Sequence, residues 1–567
     1  EALSGAMDII AETVSDNAEI RKDLRAFFMK EGLISSAAAK EDEDSVYRLY
    51  YEFERPVPKL VGHQILALNR GEREEFLKVS LSVDREKALG IISRHILGDE
   101  CEATKYVVAA AEDAYDRLIF PSLERETRNT LTESADEGAI KTFALNLKPL
   151  LLQPPVKGNV TLGFDPAYRT GCKLAVVDGT GKVLATSVIY PTPPHNKIEE
   201  SKATLKKLIE KYNITNIAIG NGTASRESEN FVSELLREIP QKVTYMVVSE
   251  AGASVYSASP LGAAEFPDFD VSLRSAVSIA RRLQDPLAEL VKIDPKAIGV
   301  GQYQHDMPQK RLGEALDGVV EDCVNSVGAD LNTASPSLLS RVSGLNGTIA
   351  KNIVAYRDEN GAFTTRRQLL KVSKLGPKAF EQSAGFLRVP ESKNVLDNTS
   401  VHPESYKAAE KLLEICGYTL SDVSAGKISD LESRVSKAGK KTVAEECGVG
   451  VPTLDDLIKE LMKPGRDPRD ELPPPLMRAA AMEISDLVPG TVVMGTVRNV
   501  VDFGAFVDIG VHQDGLVHIS RICNKFIKHP SEVLSVGDVV KVVVLEADAA
   551  KKRISLSIKD VPSEAGK

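Results

Sequence analysis

The chain has 567 residues, more than one hydrophobic core can serve, so several domains are expected. An apolar fraction of 43% and a charged fraction of 27% are ordinary for globular protein, and no run approaches the roughly eighteen uninterrupted apolar residues of a membrane span. The net charge of −10 excludes a uniformly basic protein, so any contact with nucleic-acid phosphates must come from a locally positive region. Six cysteines, Cys101, Cys172, Cys323, Cys416, Cys447 and Cys523, lack the short spacings of a zinc site or a disulfide framework and read as reduced thiols. The first residue is Glu1, and no charged-then-apolar leader follows it; further residues are expected before it.

From Ala2 to about Leu152 apolar residues recur at helical spacing, as in Ile9, Ile10, Val14 and Ile20, with glycine stops at Gly32 and Gly98. A helical domain is expected over residues 1–155. Within it Arg70 follows an apolar run and reads as an ion-pair partner, not a ligand group. Leu152-Gln-Pro-Pro-Val-Lys-Gly is a linker, because paired prolines end a helix and glycine frees the next turn.

The period then changes. Val160 to Phe164, Cys172 to Val177 and Lys182 to Ile189 are predicted strands, followed by helix Lys197 to Tyr212, strand Ile214 to Ile219, helix Arg226 to Arg237, strand Lys242 to Val248 and helix Ser272 to Leu283. This order, over 156–300, resembles the RNase H-like fold, and Gly163-Phe164-Asp165-Pro166 resembles its YqgF (resolvase-like) version. The resemblance implies phosphodiester cleavage by paired metal ions held by carboxylates from the strand ends and the last helix. Asp165 falls where the first ligand belongs and Glu250 closes the last strand. The fourth strand, however, ends in Gly220-Asn221-Gly222-Thr223, and Arg274 stands on the last helix where an acid is wanted. Asp165 and Glu250 are therefore residual catalytic candidates, with no complete metal site and no cofactor expected.

After a connecting helix over 301–325, where His305 reads as structural, the balance of charge reverses. Between Ser326 and Pro390 nine basic residues, Arg341, Lys351, Arg357, Arg366, Arg367, Lys371, Lys374, Lys378 and Arg388, face four acidic ones, Asp330, Asp358, Glu359 and Glu381. Ser335-Pro336 starts a helix that runs to Gly344-Leu-Asn-Gly347, and the pattern repeats at Leu375-Gly-Pro-Lys378, giving tandem helix-hairpin-helix units over 326–390. Gly344, Gly347 and Gly376 open helices whose N–H groups can hold a phosphate without reading bases, and Lys374 and Lys378 add charge. Asn346 stands where a second glycine is usual. The alternative is a pair of plain αα-hairpins that pack domains together.

Residues 391–475 are expected to form a structural helical domain with helices Pro403 to Cys416, Val435 to Cys447 and Thr453 to Met462. It ends in a stiff linker, Pro464 to Pro475, that would leave the last domain as a mobile arm. In 476–567, Thr491 to Val500, Ala505 to Asp508, Gly515 to Ile519, Val539 to Ala547 and Arg553 to Ile558 read as short strands of a small closed barrel of OB type. Phe503 and Phe506 are three residues apart, so a regular strand would send them to opposite faces; both can face solvent only if the backbone bulges near Gly504. They would then form a stacking platform for single-stranded nucleic acid, with His518, Lys552 and Arg553 beside it. The alternative places both rings in the core.

Val488-Pro-Gly-Thr-Val, Asp502-Phe-Gly-Ala-Phe-Val, Asp514-Gly-Leu-Val-His-Ile-Ser and Arg553-Ile-Ser-Leu-Ser resemble the S1 RNA-binding domain. That resemblance implies an RNA face lined by Phe503, Phe506, His518, Asp548 and Arg553. The order of domains, with stretches such as His63 to Glu72, Ile298 to Asp306, Asp330 to Ser335, Ala384 to Arg388 and Pro464 to Arg469, resembles the Tex family of bacterial transcription accessory proteins. Members usually begin with a helix-turn-helix segment not found here. The fold expected is multidomain α+β: a mostly helical scaffold with an RNase H-like α/β domain, tandem helix-hairpin-helix units and a C-terminal OB-fold (S1) β-barrel. The resemblance implies a cytoplasmic, non-enzymatic factor that binds single-stranded RNA and DNA, with duplex, RNA polymerase and ribosome-associated machinery as further candidate partners and no membrane. A metal-dependent nuclease or resolvase acting through Asp165 is the alternative.

Overall fold

A computed structural model describes residues 2–39, 45–98, 101–299, 301, 303–465, 467–478, 487–511, 513–548 and 553–561. The chain divides into two units, Glu1–Phe143 with Gly301–Leu312, and Ala144–Val300 with Gly313–Lys567.

In the first unit, helices Ala2–Asp16 and Ala18–Glu31 meet at Asn17, whose side chain accepts from the backbone N–H of Glu19 and Ile20 as an N-cap. This unit is not purely helical. Strands β1 (Leu33–Ala38), β2 (Glu52–Pro56) and β3 (Leu77–Ser82) form an antiparallel sheet in the order β2-β1-β3. The period-two alternation of Leu77-Lys-Val-Ser-Leu-Ser buries Leu77 and Leu81 on one face, a pattern hidden between longer helical runs. Arg70, on helix Gly62–Arg73, is the ion-pair partner expected of it. Its Nε donates to Asp306 at 2.7 Å, its guanidinium lies 4.9 Å from the Tyr303 ring, and Arg73 pairs with the same carboxylate.

The second unit begins with the RNase H-like sheet. Strands β4 (Thr161–Asp165), β5 (Cys172–Val177), β6 (Val183–Ile189), β7 (Asn216–Gly220) and β8 (Thr244–Val248) lie in the order β6-β5-β4-β7-β8. The first three pair antiparallel, and β4-β7-β8 are parallel with crossovers through helices Ile198–Tyr212 and Ser225–Glu238. Helix Val271–Gln284 crosses β4 so closely that a Cβ at Gly163 would overlap the Ala276 carbonyl oxygen, which explains a glycine inside this buried strand. Two short helices, Ala253–Ala258 and Pro260–Glu265, precede it.

The hairpin region is closed by a parallel bridge between β9 (Ala329–Asp330) and β10 (Leu387–Arg388). Arg366 is only 1% exposed and donates to the carbonyls of Leu387, Leu396 and Val401, so one buried guanidinium knits the hairpins to the helical domain that follows.

Strands β11 (Val492–Val501), β12 (Gly504–Asp508), β13 (Gly515–His518), β14 (Val539–Asp548) and β15 (Arg553–Ser557) close a barrel in the order β11-β12-β13-β15-β14, as expected. The segment before it is not the free arm that its prolines and charges suggested. Buried Arg469 pairs with Asp467 and reaches Asp285 at 2.7 Å. Arg478 exchanges backbone hydrogen bonds of 2.8 Å with Tyr245 at the β8 edge, and its guanidinium joins Glu229 (3.1 Å) of the RNase H-like domain to Asp508 (2.8 Å) of the barrel. Leu150 packs against the barrel core as well. The charges of this segment thus find buried partners, and the barrel is docked by them.

Candidate nucleic-acid interface

The barrel interior is filled by inward residues including Ala505, Val507, Val517, Val544, Ile554 and Leu556. Phe503 and Phe506 lie outside that cluster. Phe503 is 53% exposed, Phe506 is half-buried, and their rings stand edge to face with centroids 6.3 Å apart. Their common side has a different origin from the expected bulge at Gly504. Phe503 belongs to the turn between β11 and β12, so strand alternation begins only after it. The register irregularity lies instead on the facing strand, between Val497 and Asn499, which leaves Arg498 to pair with Asp508 at 2.6 Å. Gly504 is required for another reason: a Cβ there would overlap the Val517 carbonyl oxygen.

The cross-strand register sets the rest of the face. Phe506 pairs with Leu516 and Leu516 with Ser555, making a row of outward side chains. His518 is opposite Gly504 at the Phe503 end, whereas Arg553, paired with Asp548, lies at the other end of β15. Arg553 stands two residues before Ser555, and His518 two residues after Leu516, so the face is about 13 Å long at the usual rise per strand residue. His518 Nδ1 accepts from the Ser520 backbone N–H, which places the ring proton on Nε2 and leaves that nitrogen as the donor. Lys552 lies outside the described residues.

The tandem hairpins prove to be structural equivalents. Gly344 and Lys374 both take positive φ, +82° and +65°; each is followed by leucine, then by a cap residue, Asn346 or Gly376, that starts helix Gly347–Asn360 or Pro377–Ser383. The caps differ in consequence. Asn346 Oδ1 accepts from the N–H groups of Thr348 and Ile349 at 3.0 and 2.9 Å, occupying donors that a phosphate would use. Gly376 brings no side chain, so the second hairpin keeps its donors open, beside exposed Lys374 and Lys378. The basic surface is thinner than the residue count implied. Arg366 and Arg388 are buried, Arg357 donates to the carbonyls of Leu331 and Ala334, and Arg341 pairs with Asp317, leaving Lys351, Arg367, Lys371, Lys374 and Lys378 as the exposed cations.

In the RNase H-like domain Asp165 ends β4 and Glu250 follows β8. Burial, with the nearby negative charge of Glu250, pushes the Asp165 carboxyl up to about 6 against the opposing effects of the Ser275 hydroxyl and Lys173. Burial likewise raises Glu250, whose backbone N–H donates to the Asn221 side chain at 3.0 Å. The Glu250 carboxylate fills the space over Gly222, where any Cβ would strike it. Arg274 turns away from this site and donates to the carbonyls of Phe266 and Ser257; the residue of the last helix that meets Asp165 is Ser275. Sequence spacing was one residue out. Among the described residues no group of three or more His, Cys, Asp and Glu side chains is placed to hold a metal ion. Among the same residues no helix is long and apolar enough to cross a membrane.

A closed S1-type barrel, tandem helix-hairpin-helix units and an RNase H-like domain on one chain define a multidomain nucleic-acid-binding protein. Residues 1–143 match the Tex central region, 159–284 the Tex protein YqgF-like domain, 324–388 the helix-hairpin-helix motif, 394–469 the HHH domain and 487–559 the S1 RNA binding domain. The chain is 49% identical over 569 residues to the transcriptional accessory protein Tex of Neisseria gonorrhoeae, covering 98% of this chain and 74% of that one. It is 48% identical to Protein YhgF of Escherichia coli, covering 98% and 73%, and 51% identical to the Bacillus subtilis protein YdcI, covering 98% and 78%. The chain belongs to the Tex family.

Proposed function

We propose that this protein is a non-enzymatic, cytoplasmic transcription accessory factor that grips single-stranded RNA, and DNA, by base stacking on the barrel and by sequence-independent phosphate contacts at the hairpins. The observation that carries this reading is the pair of rings, Phe503 and Phe506, held outside the barrel core on the face that also presents His518, Asp548 and Arg553. Gly376, Lys374 and Lys378 would supply the open phosphate site, with Gly344 and Gly347 forming a second one that is partly occupied by Asn346. Lys552, next to Arg553, is assigned to the same RNA face by sequence. The role at transcription is carried over from the name of the Neisseria gonorrhoeae relative, and RNA polymerase or ribosome-associated machinery are the protein partners that such a role proposes. Binding of single- and double-stranded RNA and DNA across a salt series tests the reading. Single strands are expected to bind with a loss on Phe503→Ala/Phe506→Ala, and equal affinity of the wild type and this variant would overturn it.

The second reading, a nuclease or resolvase, is favoured by one observation: Asp165 at the end of β4 and Glu250 after β8, on either side of β7, are close enough for their charges to interact, with Asp165 held at about 6. Cleavage in magnesium or manganese that Asp165→Asn abolishes would establish it. Asn221 on the β7 end and Ser275 on the helix, where carboxylates would be needed, support the non-enzymatic reading.

A further inference from the structure

The loop between β13 and β14 carries Phe526, which is 91% exposed, far more than the 53% of Phe503. Full exposure of a phenylalanine costs the favourable burial that places this residue inside most folds, and nothing in the barrel core uses it. Its neighbours Asn524, Lys525 and Lys528 are exposed and polar. An isolated ring among cations suits a ligand that offers a flat apolar face and negative charge together, a combination found in the bases and phosphates of a nucleic-acid strand.

The loop is tied to the turn that presents Phe503 at two points, one on each side of Phe526. At its start the Ile519 N–H donates to the Phe503 carbonyl at 2.9 Å. Beyond Phe526, midway along the loop, the His529 ring bonds Asp502 Oδ1 at 3.0 Å. His529 Nδ1 accepts from the Ser531 backbone N–H, so the proton is on Nε2 and the ring donates to Asp502. The Glu532 carboxylate fixes the same corner by accepting from the N–H groups of Lys528 and His529. Phe526 is three residues from His529, so their Cα atoms are within about 10 Å of each other. The exposed ring is therefore held near the end of the face where Phe503 and His518 lie.

We propose that the segment Cys523 to His529 extends the single-strand interface, with Phe526 stacking a base beyond the Phe503–Phe506 platform and Lys525 and Lys528 meeting the adjoining phosphates. This inference rests on the single-strand reading of the barrel and lengthens the site in a stated direction, past Phe503 and away from Arg553.

The test uses the whole chain and labelled oligouridylates of increasing length. Wild-type affinity is expected to climb until the RNA spans both the platform and Phe526. Phe526→Ala should stop that climb at a shorter length, losing roughly five- to a hundredfold on long oligomers and nothing on the shortest ones. Phe526→Tyr should restore it, and Lys525→Gln/Lys528→Gln should lower the salt slope by about 0.7 for each phosphate lost. An unchanged melting temperature verifies that each variant is folded. If Phe526→Ala binds long RNA as the wild type does while Phe503→Ala is impaired, the extension is wrong and the platform stands. If neither variant is impaired, both fail. An equal loss at every length would make Phe526 a support for the Phe503 turn and would also overturn the proposal.

Discussion

Arg478 and Asp508 form a 2.8 Å ion pair between the segment that leaves the RNase H-like sheet and the β12 strand of the barrel, and the same guanidinium holds Glu229 at 3.1 Å. Both carboxylates are buried; Arg478 is a cation they share, Asp508 pairs with Arg498 as well, and Glu229 also accepts from the Tyr245 hydroxyl. Arg478→Ala is expected to cost about 3–5 kcal/mol, because it strands buried charge. Small-angle scattering should report a larger radius as the barrel undocks, and an unchanged radius would mean that Leu150 and the backbone bridge to Tyr245 suffice.

The same pair makes docking sensitive to acid. Although burial opposes it, Arg498 and Arg478 hold the Asp508 carboxyl below the usual carboxylate range. A carboxylate depressed in the folded state contributes stability above its unfolded value of about 3.9, and loses it as pH falls further. Undocking is therefore expected below about pH 4, with no change between pH 5 and pH 8, measurable by scattering across a pH series.

Asp165 has the opposite sign. Raised to about 6 in the folded chain, it contributes stability that is present below about pH 4 and lost as pH rises through 6. Asp165→Asn is expected to stabilise the protein by about 1–3 kcal/mol at pH 7 and to be neutral near pH 4. Chemical denaturation at the two pH values decides this, and equal stability at both would show that the carboxyl is not strained by burial.

Phe503→Ala/Phe506→Ala should remove roughly 1–3 kcal/mol of single-strand binding per stacked base and leave melting nearly unchanged. Leu556→Ala, on the core side of the same sheet, should cost about 2–5 kcal/mol of barrel stability. The two variants separate binding from folding; a double-alanine protein that unfolds would return both rings to the core.

Lys374 occupies a left-handed conformation that glycine takes in the first hairpin. Lys374→Gly is expected to stabilise the chain by about 1 kcal/mol while weakening duplex or backbone binding and lowering the salt slope by about one unit. Stability and affinity moving in opposite directions would identify a residue kept for its charge. An unchanged slope would favour hairpins that only pack.

Local period carried most of the fold. The five barrel strands and the order of the RNase H-like elements are written in alternation and glycine punctuation, which act over a few residues. The strands Leu33–Ala38 and Leu77–Ser82 were lost because short alternations sit between strong helical runs. At the candidate sites residue types were legible, but their neighbours were not. Ser275, not Arg274, meets Asp165, a matter of helix phase. The bulge fell at Arg498, on the strand opposite the one whose sequence suggested it. Phe526 gives no periodic signal, and only its exposure marks it. Charge counting could not separate the exposed lysines of the hairpins from arginines spent on carbonyls, since burial follows from contacts made far along the chain.

Arg366 shows what such a contact means for modularity. The carbonyls it satisfies belong to Leu387, inside the hairpin region, and to Leu396 and Val401, beyond its end. A piece cut at Pro390 would keep the guanidinium and lose four of its five acceptors, Leu396, Thr399, Val401 and Tyr406, so the hairpins are not a cassette that can be lifted out. Recombination or truncation at this seam would carry a penalty that domain boundaries drawn from motifs do not reveal, because the two helical regions share the acceptors of one buried cation.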